Sequence, residues 1–128
     1  MADLFLSVVV PAYNESSRIG PTLEKILVYL RRQSYEAEIV VVDDGSRDRT
    51  GKLVRALAAS HPEIRLLGNP INRGKGAAVR QGVLDSQGKW VLFSDADLST
   101  PIEEVEKLLA AVERERAVAA VGSRALRR

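Results

Sequence analysis

Two apolar runs constrain the fold more than any other feature: "LFLSVVVP" at residues 4–11 and "AEIVVVDDGS" at residues 37–46. The second holds four consecutive β-branched residues, Ile39, Val40, Val41 and Val42. A strand with one wet face alternates apolar and polar residues, whereas an unbroken apolar run suits a strand covered on both faces, as in a parallel sheet. Between the runs, "PTLEKILVYLRRQ" (21–33) places apolar side chains at 23, 26, 27 and 30. That spacing predicts a helix with Pro21 in its first turn, where the missing N–H costs nothing. The alternation continues with a helix in "RTGKLVRALAAS" (49–60), a short strand in "EIRLLG" (63–68) and a loop entering a glycine-interrupted helix in "NPINRGKGAAVRQGVLDSQ" (69–87). A fourth strand in "KWVLFSD" (89–95), a charged amphipathic helix in "PIEEVEKLLAAVERER" (101–116) and a candidate fifth strand in "AVAAVGS" (117–123) complete it. Repeated βα units predict an α/β domain over residues 1–128, a doubly wound, mostly parallel sheet with helices on both faces.

The composition narrows the chemistry. With no cysteine there is no disulfide framework and no thiolate metal site, and the single histidine, His61, leaves no imidazole cluster. A bound metal would have oxygen ligands, which favours Mg²⁺ or Mn²⁺ over Zn²⁺. A net charge of +2 from 19 basic and 17 acidic residues implies no nucleic-acid partner. The apolar start is too short to span a membrane and lacks a signal peptide's basic start and cleavage site, so a cytoplasmic location is expected. The basic "RALRR" end could touch anionic lipid, although such tails are commonly just solvated.

In parallel α/β sheets, ligands sit beyond the carboxyl ends of the strands. "PAYNE", "DDGS" and "DADLS" each follow a predicted strand directly and should gather on one rim. Asp95 and Asp97, two apart in an extended segment, lean to the same side and can share one cation, directly or through water. The bland alternative is a solvated loop in which Ser99 or Thr100 caps the next helix before Pro101. Asp43 and Asp44 are adjacent and point oppositely, so at most one faces a ligand while the other bonds the turn "DGSRD". "NRGKGAA" (72–78) has neither the Walker A spacing nor a third glycine for a dinucleotide fingerprint. It does set Arg73 and Lys75 at a helix N-terminus, a place for an anion or simply for solvated charges.

Taken in order, "VVVPAYNE", "EIVVVDDGSRDRT", "NRGKGAAVRQG", "FSDADLSTP" and "VGSR" resemble the family 2 glycosyltransferases of GT-A fold, within them the dolichyl- and polyprenyl-phosphate glucosyl- and mannosyltransferases. The resemblance implies a site for a nucleotide-sugar and a divalent metal, Mg²⁺ or Mn²⁺, and a sheet order 3-2-1-4 with a further strand. By it, Pro11, Tyr13 and Glu15 match the lining of the base and ribose pocket. Asp44 matches the aspartate that recognises the base, with Val42 beside it. Asp95, Ala96 and Asp97 match the D-x-D segment near ribose, diphosphate and metal, Asp97 being the surest ligand. Arg124 matches a basic residue near the acceptor's phosphate. Mannosyl members typically carry "DADLQHP", where the Gln can help bind the metal; Ser99 stands there as a shorter, weaker ligand beside Asp97 and Asp95, which leans toward the glucosyl branch.

The function so implied is inverting transfer of a hexose, from a donor of the UDP-glucose or GDP-mannose type, to an acceptor such as polyprenyl phosphate, with contact at the cytosolic membrane face. Family members continue into an acceptor-binding half, so this chain is expected to be the N-terminal donor half, truncated and by itself unable to transfer sugar. A binding-only nucleotide domain remains an alternative. A receiver-type signalling module fits less well, because its acidic pair follows the first strand, whereas here a full βα unit precedes it.

Overall fold

The computed structural model describes residues 3–96, 102–107, 109–110 and 125–127. Strand β1 (Leu6–Ala12) is followed by helix α1 (Ile19–Arg31), β2 (Ala37–Asp44), α2 (Thr50–Ser60), β3 (Ile64–Asn69), α3 (Lys75–Asp85) and β4 (Trp90–Phe93). A 3-10 turn at Ile102–Glu104 and a short strand β5 (Ala125–Arg127) follow. The sheet order is β3-β2-β1-β4-β5, with the first four strands parallel and β5 antiparallel to β4. The 3-2-1-4 arrangement read from the sequence is therefore the one observed.

Every residue of β1 is buried, because the sheet is covered on both sides. Val8, Val10 and Ala12 face α1 and α2, together with Ile39, Val41 and Leu92. The alternate positions Val9, Val40, Val42 and Val91 pack with Ala78 of α3. Period-two alternation thus splits one apolar run between two cores.

Several boundaries move. Helix α1 begins at Ile19 rather than at Pro21, because the Glu15 carbonyl accepts from the amides of Arg18 and Ile19 and starts the turn two residues earlier. The fifth-strand candidate (117–123) and most of the helix expected at 101–116 lie outside the described residues. Residues 125–127, expected to be part of a solvated basic tail, instead extend the sheet as β5. Among the described residues no helix is long and apolar enough to cross a membrane.

Because β1 to β4 run parallel, Ala12, Asp44, Asn69 and Phe93 end along one edge, and the loops leaving them share one rim.

Candidate active site

The loops leaving β1 and β2 are stitched together by side-chain hydrogen bonds. Asn14, at φ 52, sits in the left-handed region that asparagine tolerates better than most residues. Its amide donates to Ser46 Oγ at 2.9 Å, and its Oδ1 accepts from the Arg47 amide at 2.8 Å. One residue on, the Glu15 amide donates to Thr50 Oγ1 at 2.9 Å, and the Ser16 amide donates to Asp48 Oδ2 at 3.2 Å. Asp48 also accepts from the Thr50 amide and hydroxyl. Burial pushes the Asp48 carboxyl up, but the hydrogen bonds from Thr50 and Ser16 outweigh it and hold the pKa at about 2.

The adjacent aspartates divide their work. Asp43 Oδ1 accepts from the Ser46 amide at 3.1 Å and so serves the turn. Asp44 is only 2% exposed and reaches the other way, into the loop before α3. Its carboxylate accepts from the Asn69 side chain at 3.0 Å, the Arg73 amide at 3.1 Å and the Gly74 amide at 2.9 Å. Desolvation raises its pKa, and these donors more than reverse that, so it titrates below the ordinary carboxylate range. Asn72 adds a bond from its side chain to the Asp44 carbonyl at 3.2 Å. Gly45, at φ 76, permits this closeness, since a Cβ there would lie 2.5 Å from the Ile71 carbonyl carbon.

Across the rim, the Lys75 ammonium pairs with Asp95 Oδ1. The backbone before Asp95 is held by Ser94 N–H donating to the Val9 carbonyl at 2.9 Å, and that after it by Thr22 Oγ1 donating to the Ala96 carbonyl at 2.5 Å.

These pieces enclose a cleft of about 490 Å³, within the usual range for small-molecule sites. Pro11, Tyr13, Glu15, Asp44, Lys75, Asp95 and Ala96, all singled out in the sequence, line it. Tyr13 is 44% exposed, an aromatic face at the rim. Val42 is not part of the lining; it is fully buried beneath α3, because the strand's alternation turns it into that core. Asp97, Ser99 and Arg124 lie outside the described residues, as does the proposed cap at Ser99 or Thr100. Sequence reasoning passed over Arg18 and Ala78, which also line the cleft, and Thr22, which steadies its floor. Arg18 had one local signal: it lies three residues after Glu15 at a helix start, and the two pair at 2.7 Å.

The cleft has oxygen donors suited to a hard divalent cation, with the Asp95 carboxylate at its wall. Among the described residues no group of three or more acidic or histidine side chains could hold a metal alone. A cation beside Asp95 would therefore need further oxygens from beyond these described side chains, such as those of a ligand or water. One carboxylate completed by ligand and water oxygens is a donor set that suits Mg²⁺ or Mn²⁺.

Residues 7–128 match the family described as glycosyl transferase family 2. A dolichyl-phosphate beta-glucosyltransferase of Trichomonas vaginalis is 46% identical over 135 residues, covering 97% of this chain and 40% of that protein. The Saccharomyces cerevisiae dolichyl-phosphate beta-glucosyltransferase is 40% identical over 118 residues, covering 88% of this chain and 35% of that protein. The chain thus spans two fifths or less of these curated relatives. Among solved structures, a Pyrobaculum calidifontis mannosyltransferase in complex with GDP-Man and Mn²⁺ superposes with a TM-score of 0.67 at 32% identity, covering 83% of this chain and 31% of that one. Staphylococcus aureus TarS 1–349 in complex with UDP-GlcNAc gives a TM-score of 0.66 at 28% identity, covering 88% of this chain and 32% of that one.

Proposed function

The chain belongs to glycosyl transferase family 2, and from that premise we propose that it is the donor-binding part of an enzyme that moves a hexose from a nucleotide-sugar to a polyprenyl phosphate. The observation that carries this reading is the single cleft in which an exposed aromatic, a cation and the first D-x-D carboxylate converge: Tyr13, Lys75 and Asp95. The relatives' names favour glucose as the sugar and dolichyl phosphate as the acceptor. A lipid-linked acceptor would bring the protein to the cytosolic face of a membrane.

In this reading Pro11, Tyr13 and Glu15 form the wall for base and ribose. Asp44 shapes the base end through the loop it holds, Lys75 meets the diphosphate, and Ala96 lies against the ribose. Asp95 and Asp97, with Ser99 as a weaker ligand, would hold Mg²⁺ or Mn²⁺. When bound, such an ion supplies Lewis-acid neutralisation of the charge gathering on the leaving diphosphate. Transfer forms a bond from an acceptor phosphate oxygen to the anomeric carbon while the bond from that carbon to the diphosphate oxygen breaks. Attack from the opposite face inverts the configuration. The acceptor phosphate is already ionised near neutral pH, so no general base is required, and Arg124 would steady that phosphate.

Calorimetric titration of the 128-residue chain with UDP and with GDP, each with and without Mn²⁺, tests the reading. Binding of UDP in preference to GDP is expected, with affinity improved at least tenfold by Mn²⁺, about 1.4 kcal/mol. Absence of binding by either nucleotide would remove the donor site, and equal affinity with and without Mn²⁺ would remove the metal.

A further inference from the structure

Lys75 occupies a position that its own helix disfavours. It is the first residue of α3, whose first turn carries no acidic side chain. A helix N-terminus bears the positive end of the macrodipole, so an anion is stabilised there and a cation opposed. The ammonium is nevertheless placed there, and it reaches across the cleft to Asp95.

The backbone beneath it is firmly anchored. Asp44 binds the amides of Arg73 and Gly74, the two residues immediately before Lys75, at 3.1 and 2.9 Å. The side chain above that anchor is 61% exposed, and its partner carboxylate is 40% exposed. An ion pair so open to water is weak, and it yields to a partner of higher charge. A diphosphate is such a partner.

We propose that Lys75 is an exchangeable counterion in the cleft, paired with Asp95 before ligand enters and passing to the donor's diphosphate when nucleotide and divalent cation enter together. A divalent cation arriving alone must displace an ammonium from Asp95 and remain beside that positive charge. A nucleotide–cation complex offers the ammonium new phosphate oxygens as it releases the carboxylate. The cleft consequently takes the cation with the nucleotide rather than ahead of it. The inference rests on the donor-site reading above.

The test compares wild type, Lys75→Met and Lys75→Arg in two measurements: Mn²⁺ alone, by the paramagnetic resonance signal of the unbound ion, and UDP with Mn²⁺ present, by calorimetry. Lys75→Met should bind Mn²⁺ alone about fivefold more tightly, equivalent to about 1 kcal/mol, and UDP with Mn²⁺ about tenfold more weakly. Lys75→Arg should stay near wild type in both measurements. The opposite signs separate a counterion from a structural part, whose loss weakens both, and a thermal melt checks that the exposed substitution leaves the fold intact. A Met variant that binds Mn²⁺ no more tightly than wild type overturns the inference while leaving the donor site standing. A wild type that binds no UDP at any Mn²⁺ concentration overturns both.

Discussion

Asp48 stands on the rim with its carboxyl held at about pKa 2, against an ordinary value of 3.8. Burial works against the ionised form, and donors from Thr50 and Ser16 more than compensate. A carboxyl depressed in the folded state contributes stability that is fully present above its unfolded pKa and is lost as pH falls through the folded one. For Asp48 that window runs from about pH 4 down to about pH 2. Asp48→Asn should lower stability at neutral pH and remove this part of the acid decline, so that the two unfolding curves converge toward pH 2. Urea denaturation followed by circular dichroism at stepped pH checks it; a constant gap from pH 6 to pH 2 would show that the charge is not what matters. At the same scale, the division of labour between Asp43 and Asp44 was legible, because alternation alone sends adjacent side chains to opposite sides. What Asp44 grips was not. Asn69 and Gly74 lie 25 and 30 residues further on, and no local pattern announces a carboxylate paired with amides so distant. Thr22, which bonds a carbonyl 74 residues away, was hidden for the same reason.

Helix α3 carries Lys75 at the rim, and its distance from the sheet is set by a glycine. A Cβ on Gly82 would lie 3.1 Å from Val42 Cγ2 and closer still to Val9 Cγ1, both on stiff β-branched side chains in the core. Gly76, in the same helix, has open space around its Cβ direction. Ala is favoured over Gly inside a helix by roughly 1 kcal/mol, whereas overpacking a tight core costs about 1–3 kcal/mol. The same substitution should therefore change sign along one helix. Gly76→Ala should stabilise by up to about 1 kcal/mol, and Gly82→Ala should destabilise by about 1 kcal/mol or more, with α3 displaced outward. Chemical denaturation of the two variants decides it, and stabilisation by both would mean that the helix is not seated as tightly as described. The sequence shows these glycines only as interruptions of an apolar stripe. Which one faces the sheet depends on where the helix begins, and the loop leading into it conceals that starting point.

Over the molecule as a whole, the two ends of the sheet do different work, and this sets the limit of what the sequence revealed. The carboxyl-end rim could be foreseen, since parallel βα order and three polar motifs at strand ends suffice to place it. The opposite end could not. There Glu38, 5% exposed, accepts from Ser7 Oγ at 2.6 Å, the Gln87 amide at 2.8 Å and Arg65 Nε at 2.9 Å. Arg65 continues to Asp85 at 2.7 Å, tying β2 and β3 to the end of α3. A glutamate at the start of an apolar run looks like an ordinary strand-end charge, and its partners lie 27 to 49 residues away. Removing one member of a buried charged network leaves the others unsatisfied, at a cost of about 3–5 kcal/mol. Arg65 is one-third exposed, so water will soften its share, and about 3 kcal/mol is expected for Glu38→Ala. In a domain of this size that corresponds to a fall in Tm of roughly 10 °C. Because the network and the cleft sit at opposite ends of the same strands, nucleotide affinity measured well below the new Tm should remain within about twofold of wild type. Thermal melts paired with calorimetric titration of UDP in Mn²⁺ separate the two effects. A Glu38→Ala protein that melts as before would deny the network its structural role. One that stays folded but binds UDP tenfold more weakly would show that the two ends of the sheet are coupled, with α3, clamped to Arg65 at one end and carrying Lys75 at the other, as the element that joins them.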